Sequence, residues 1–263
     1  EIFCVMGLSG SGKSTMVRHL NRLIEPTAGK ISVLGKDMTT LGGEELREMR
    51  AMHIGMVFQH MALLPHRTVR DNVGLPLQIR GEPKSKRWEV SQRCLNMVNL
   101  DGYEDRFPRE LSGGMQQRVA IAQALIMEPQ IILLDEPFGA LDEATREELQ
   151  EMLLQFYEEN KEAMAEGKKP PYTLIIVTHE LNEAIRVGDR LVGLSQYWDW
   201  KADGHDRCPG ATVVYDKPAP VFRADERPDY ELFADIRREI RQVVYNPEGL
   251  QRRDEHVNLN PTS

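Results

Sequence analysis

Gly7-Leu8-Ser9-Gly10-Ser11-Gly12-Lys13-Ser14 is entered from the apolar run Ile2-Phe3-Cys4-Val5-Met6 and followed by Thr15-Met16-Val17-Arg18-His19-Leu20. It fits G-x-x-x-x-G-K-[ST] in the strand, loop and helix context which that pattern requires. The glycines let the backbone turn tightly, so that successive N–H groups point inward as a nest, and the dipole of the helix starting near Lys13 adds to its positive end. An anion belongs there. Lys13 is expected to reach β- and γ-phosphates and the Ser14 hydroxyl to ligate Mg²⁺, because a hard cation bridging phosphate oxygens takes oxygen ligands.

With 263 residues the chain can bury a full core as one large domain or a domain with a subdomain. Hydrophobic residues at 41% and charged residues at 28% read as soluble and globular. No apolar run approaches the roughly 20 residues needed to cross a bilayer and no signal peptide opens the chain, so it is not expected to span a membrane. A net charge of −8 argues against a nucleic-acid groove. Cys4, Cys94 and Cys208 lie too far apart for a disulfide framework or a zinc site, and a reducing compartment is expected. Because Glu1 is not an initiator Met and the first residues already belong to the strand, an upstream segment is expected to precede them.

A first helix is expected over Lys13–Ile24, then a break at Glu25-Pro26-Thr27-Ala28-Gly29 and a short strand at Lys30–Gly35 closed by glycine. Gly43–Met52 reads as a helix and Ile54–Phe58 as a second apolar strand ending on Gln59. A polar side chain at the carboxyl end of a buried parallel strand sits where ligands collect in open α/β sheets, although Gln59 alone also reads as an ordinary strand end. From Thr68 to Leu125 the pattern is helical, punctuated by Pro76, Gly81-Glu82-Pro83 and Gly102. Its last helix opens with Leu111-Ser112-Gly113-Gly114-Met115-Gln116-Gln117-Arg118, where Ser112 can cap the helix and the glycines leave its first N–H groups bare. That turn reads equally as a capped helix start and as a second anion site.

Ile131-Ile132-Leu133-Leu134-Asp135-Glu136 is an all-apolar strand ending in two carboxylates. Burial of such groups requires compensation, which Mg²⁺ supplies for Asp135 while a water awaiting polarisation suits Glu136. Pro137–Asp142 reads as a turn, with Asp142 capping a long helix that runs to Ala165. Leu174–Thr178 is another buried strand, followed by His179. A lone His is more often structural, but this one follows Lys13, Gln59 and the Asp135-Glu136 pair at similar places.

Taken together, Gly7–Ser14, Gln59, Leu111–Arg118, Ile131–Glu136, Ala140–Asp142 and His179 resemble, in order and context, the motifs of the ATP-binding-cassette ATPases over Glu1–Leu194. The resemblance implies an α/β P-loop NTPase fold of RecA-like type, with a parallel-sheet core, an inserted helical subdomain, and the N-terminal antiparallel part largely missing. The expected organisation is a nucleotide-binding core at 1–67 and 126–225, a helical signature subdomain at 68–125 and a C-terminal extension at 226–263. Carried over position by position, Walker A covers Gly7–Thr15, with Gly7, Ser9, Gly10, Ser11, Gly12, Lys13, Ser14 and Thr15 holding ATP. Gln59 is then the Q-loop residue, a Mg²⁺ ligand with Ser14 and Asp135. Ser112, Gly113 and Gly114 belong to the signature, Asp142 to the D-loop, and Glu136 is the catalytic base beside Lys13 and the switch histidine His179. The family pairs two cassettes head to tail, so that the signature of one chain covers the ATP of the other, which would account for the second anion site.

Within that family the run Met6–Thr15 with Asn21–Thr27, supported by Val57–His66, is similar to the ATPase subunits of glycine-betaine and related quaternary-amine importers. This implies permease subunits in the membrane, indirectly a substrate-binding protein, and a peripheral position on the cytoplasmic face of the bacterial inner membrane, without a nucleic-acid partner. Uptake of nitrate or a sulfonate is the alternative, and a soluble non-transport cassette a further one, although the coiled-coil inserts or paired cassettes of the latter are missing. Asn160–Tyr172 and Gln196–Gly210 depart from the family pattern as inserted loops. In the second, His205 and Cys208 have a spacing a metal could use, but two candidate ligands do not make a site.

Overall fold

The computed structural model describes residues 1–59, 61–139, 141–219 and 229–248. His60, Ala140 and the parts of the expected C-terminal extension at 226–228 and 249–263 lie outside them. In chain order the elements are β1 (Ile2–Gly7), α1 (Lys13–Leu20), β2 (Ser32–Val33), β3 (Lys36–Asp37), α2 (Gly43–Met52) and β4 (Ile54–Val57). There follow α3 (Val69–Val73), α4 (Leu75–Ile79), α5 (Lys84–Met97), α6 (Gly113–Leu125), β5 (Ile131–Asp135) and α7 (Glu143–Ala165). The chain ends its described course with β6 (Thr173–Thr178), α8 (Leu181–Val187), β7 (Arg190–Ser195), β8 (Thr212–Pro218) and α9 (Tyr230–Val243). Two compact units result, one formed by Glu1–Val17 with the chain from Ile175 onward, the other by Arg18–Leu174.

In the first unit the strands lie in the order β6-β1-β7-β8. β1 and β7 are parallel, with Phe3 opposite Arg190 and Gly7 opposite Leu194. Along β1, Ile2, Cys4, Val5 and Met6 are all buried, which is why that run is continuously apolar rather than alternating. β8 returns antiparallel to β7 with a register shift between Gly193 and Leu194. Arg190 donates to both carboxylate oxygens of Asp216, at 2.6 and 2.9 Å, a bidentate pair that fixes this register. The segment 196–211 joins the two strands, and within it Trp198 is buried and donates from Nε1 to the Gly210 carbonyl at 2.9 Å.

In the second unit β4 and β5 run parallel, Ile54 opposite Ile131 and Val57 opposite Leu134. Leu133 and Leu134 are at most 1% exposed, and burial of each stabilises the fold by about 1.5–3 kcal/mol relative to exposure. The helical stretch expected over 68–125 is present as α3 to α6. Asn72, fully buried on α3, holds the chain before it by accepting from the Leu64 amide and donating to the carbonyls of Leu64, Arg67 and Thr68. Gln123 of α6 donates in turn to the Asn72 carbonyl at 2.8 Å, tying the two helices together.

Two expected elements change, each for a local reason. The strand expected at Lys30–Gly35 is instead the hairpin of β2 and β3, because Leu34 and Gly35 both take positive φ, 51° and 78°, the geometry of a two-residue primed turn. α1 stops at Leu20 rather than Ile24, and Arg22 adopts a φ of 54° just beyond its end. α7 reaches Ala165, where the long helix was expected to end, so the segment read as an inserted loop from Asn160 opens inside that helix. Asn160, buried in that last stretch, clamps Tyr172 by accepting from its amide at 2.9 Å and donating to its carbonyl at 2.8 Å.

Candidate functional site

In the first unit β1 delivers the chain to the phosphate loop. Ser11 N–H donates to the Leu8 carbonyl at 3.1 Å, closing the turn, and Met16 N–H to that of Gly12 at 2.8 Å as the helix begins. Gly10 and Gly12 sit at φ of 81° and 86°, a region L side chains enter only under strain, so the alternation that forms the nest depends on them. Lys13 is 5% exposed and folds back on the loop, donating from Nζ to the carbonyls of Gly7 at 2.9 Å and Leu8 at 3.0 Å. A buried ammonium requires such partners, and both are neutral carbonyls that a phosphate oxygen outcompetes. The Ser11 hydroxyl is buried without a hydrogen-bond partner inside the same loop, an orphan a bound phosphate would satisfy. Ser14 follows Lys13 on the first turn of α1, while Ser9, Gly10 and Thr15 are exposed.

His179 also belongs to this unit and is exposed, with Nε2 3.5 Å from Glu180 Oε1. Tyr245, just beyond α9, is a neighbour of the phosphate loop that no motif announces. Burial pushes its hydroxyl up to about 12 against the Gly7 backbone's pull downward, so it stays protonated through the physiological range.

The second unit carries the carboxylates. Asp135 closes β5 with no exposure and Arg18 of α1 approaches it, Nη2 to Oδ2 at 3.4 Å. Glu136 follows at a φ of 51°, a conformation unfavourable for a residue with a Cβ, which persists where surrounding structure over-determines it. Gln59, two residues past β4, donates from Nε2 to Glu136 Oε2 at 2.8 Å. With its nitrogen on Glu136, the Gln59 carboxamide offers its oxygen to a cation, and that oxygen with the Asp135 carboxylate is the hard donor chemistry Mg²⁺ takes.

Ser112 caps α6, its Oγ accepting from the Met115 amide at 3.3 Å, and Gly113 and Gly114 are the first helical residues after it. Asp142 caps α7 through both oxygens, which accept from the Thr145 amide at 3.1 Å and the Thr145 hydroxyl at 2.7 Å. Those two bonds, the hydroxyl first, hold the Asp142 carboxyl below the usual aspartate range. Thr145 also faces Gly114, and a Cβ built there would stand 1.7 Å from Thr145 Cγ2. The second unit therefore brings Gln59 to Glu136, and the Ser112 turn to the Asp142 turn through Thr145. Arg18 and Thr145 carry no motif letter and sequence reading passed over both.

A family model described as ABC transporter matches residues 1–139. The chain belongs to the ABC transporter family. It is 48% identical over 192 residues to the glycine betaine transport ATP-binding protein OpuAA of Bacillus subtilis, a match covering 73% of this chain and 44% of OpuAA. It is 42% identical over 257 residues to the methionine import ATP-binding protein MetN of Geobacillus kaustophilus, covering 98% of this chain and 66% of MetN. The solved dimeric ATP-binding cassette MJ0796, in a post-hydrolysis state bound to ADP and Pi, is similar with a TM-score of 0.66 and 35% identity, over 84% of this chain and 87% of that one. This ABC chain spans about half the length of the curated relatives it matches first.

Proposed function

We propose that this ABC chain is the ATP-hydrolysing subunit of a bacterial importer that dimerises head to tail on ATP and drives separate permease subunits. The observation that carries the reading is Glu136, a carboxylate at the end of a buried strand, held in a strained backbone conformation and met by Gln59 at 2.8 Å. Left-handed backbone also occurs at Arg22 and Leu34, where a helix end and a turn require it; at Glu136 it accompanies a carboxylate that closes a buried strand, as a group pre-placed for chemistry would. In this reading the loop from Gly7 to Thr15 holds the triphosphate, and Lys13 leaves its two carbonyls for the β- and γ-phosphates. Glu136 orients water and accepts its proton, and His179 holds the γ-phosphate geometry. Bound Mg²⁺, with Ser14, Gln59 and Asp135 as its protein ligands, would polarise the phosphate oxygens. Ser112, Gly113 and Gly114 would serve the ATP of the second copy, with Asp142 beside them, and the dimeric form of MJ0796 supports that pairing. Residues 68–125 act as the signature subdomain of a core formed by 1–67 and 126–225, with 226–263 appended.

A permease partner is supported by a surface of the second unit. A cavity of about 300 Å³ lies among Arg50, Ile54, Met56, Pro76, Ile79 and Gln123, and the Ile79 side chain there is 79% exposed. β4, which lines this cavity, leads directly to Gln59, so a permease segment seated there would lie close in sequence to the proposed ATP site. Among the described residues no helix is long and apolar enough to cross a membrane. In this reading the chain is a peripheral subunit on the cytoplasmic face of the bacterial inner membrane. Glycine betaine or a related quaternary amine is the cargo that the likeness to OpuAA supports. Methionine is the second reading, favoured by a match to MetN that extends over nearly the whole chain. Solutes screened for stimulation of ATPase activity in the reconstituted complex distinguish the two.

Glu136→Gln tests the hydrolytic centre. The amide keeps the shape but cannot accept a proton, so the variant should bind Mg-ATP, turn over at less than about a hundredth of the wild-type rate, and accumulate as a dimer on size-exclusion chromatography. Wild-type turnover, or a monomer under all nucleotide conditions, rejects the two-chain site.

A further inference from the structure

β6 ends on Thr178, α8 starts at Leu181, and the exposed His179 lies between two nearly inaccessible polar side chains. Thr178 is 2% exposed and Glu183, in the first turn of α8, is 4% exposed. Charged side chains are almost never buried so completely without a partner that compensates the loss of water. For Glu183 one such partner is the Thr178 hydroxyl, which donates to its Oε2 at 2.7 Å. The same hydroxyl accepts from the Glu180 amide at 3.0 Å.

Glu180 is the N-cap of α8 and makes no side-chain cap of its own, and Glu183 stands at the third helical position. In a capping box the third-position glutamate reaches directly back to the N-cap amide. Here Thr178 Oγ1 is interposed between the two, so the box closes through a residue that precedes the N-cap by two. Only His179 lies within that span. The carboxylate, the hydroxyl and the amide therefore clamp the backbone on both sides of the histidine while its imidazole projects outward.

We infer that Thr178 and Glu183 are positioning residues that set the reach of the His179 imidazole. This rests on the assignment of His179 to the γ-phosphate made above. Neither residue touches nucleotide; each acts by fixing the backbone dihedrals from which the ring extends. A side chain placed by a rigid frame contributes mainly where geometry is most demanding, in the transition state, so loss of the frame lowers kcat with little change in KM.

The variants are Thr178→Val, which keeps the shape and deletes the hydroxyl, Thr178→Ser, which keeps the hydroxyl, and Glu183→Gln, which weakens its acceptor, each made in the full chain within its transporter complex. Thr178→Val should lower kcat for ATP hydrolysis by about tenfold at nearly constant KM, Thr178→Ser should return it to within about threefold of wild type, and Glu183→Gln should fall between. Thr178→Val combined with His179→Ala should be no slower than His179→Ala alone, to within about twofold, because the clamp acts through the ring. A merely structural cap would lower the melting temperature and leave kcat per folded molecule unchanged. The inference is overturned if Thr178→Val and Glu183→Gln both keep kcat within about twofold of wild type, or if the cost of Thr178→Val persists undiminished on the His179→Ala background. Should Thr178→Val not fold, the same comparison with Glu183→Gln decides. Wild-type turnover by His179→Ala alone removes the histidine from the site, a failure of the underlying reading that is distinct from failure of the clamp.

Discussion

The phosphate loop and the turn at Ser112 are both glycine-rich entries to a helix, yet glycine serves them in opposite ways. At Gly10 and Gly12 nothing lies within 4 Å of where a Cβ would stand, so space is free and backbone conformation makes the demand. At Gly114 the backbone is ordinary helix and the demand is room, since Thr145 occupies the place of a side chain. The difference extends to the polar groups. The loop holds its lysine on the Gly7 and Leu8 carbonyls, neutral partners that a phosphate oxygen outcompetes. The Ser112 turn has one long cap bond, at 3.3 Å, and no cation in its first turn. A turn so equipped has helix N–H groups to offer but no charge of its own, in keeping with the proposal that it completes a site on a second copy.

The largest effect is expected at Lys13. Lys13→Ala leaves the backbone nest but removes the charge exchanged onto phosphate, and ATP hydrolysis should fall below about a tenth of wild type with weakened nucleotide binding. Hydrolysis above that level would place the essential charge elsewhere. Next comes Gly114→Ala. The new methyl overlaps Thr145, and overpacking of this kind should lower stability by about 1–3 kcal/mol in denaturant titrations. The companion change Thr145→Ser, which removes the clashing methyl, should restore most of it.

Ser112→Ala sharpens the contrast further. As a plain cap Ser112 would cost about 0.5–2 kcal/mol on removal and leave turnover per folded molecule unchanged. As a donor across a closed dimer it should lower turnover more than stability, because the contact forms only on closure. Mixed dimers of Lys13→Ala and Ser112→Ala chains place both lesions in one composite site, so activity regained on mixing marks the head-to-tail arrangement. The smallest effect is expected at Asp142. Its carboxyl is depressed by the Thr145 hydroxyl and amide, so its stabilisation is present above the ordinary aspartate range and lost as pH falls through the lower folded value. The gap in melting temperature between wild type and Asp142→Asn should therefore narrow from neutral pH down to about pH 3.

Much of this was legible in the sequence because the informative features are local. An apolar run, a glycine pattern and a lysine within a dozen residues announce β1, the loop and α1, and the runs at Ile131–Leu134 and Leu174–Val177 announce two more strands. The α/β class was implied by the family resemblance that these and the other motifs carry. Local signals also misled where a dihedral decides, as at Leu34, whose left-handed backbone turned one expected strand into a hairpin. What escaped notice depends on partners distant in the chain. Arg18 meets Asp135 across 117 positions and Thr145 meets Gly114 across a strand and a turn, and neither residue type signals such a meeting. Thr178 and Glu183 are only five apart, but a Thr at a strand end and a Glu on a first helical turn are so common that burial alone sets this pair aside.

The left-handed backbone at Glu136 bears on how the position could change by point mutation. Glycine would relax the dihedral and forfeit the carboxylate. Asparagine tolerates the conformation but is shorter and carries no basic oxygen, and glutamine keeps the length while losing the base. Aspartate retains the base yet withdraws it by one methylene from the Gln59 amide that now reaches it at 2.8 Å. Each of these four changes satisfies one requirement by giving up another, so none keeps both the base proposed at position 136 and its reach to Gln59.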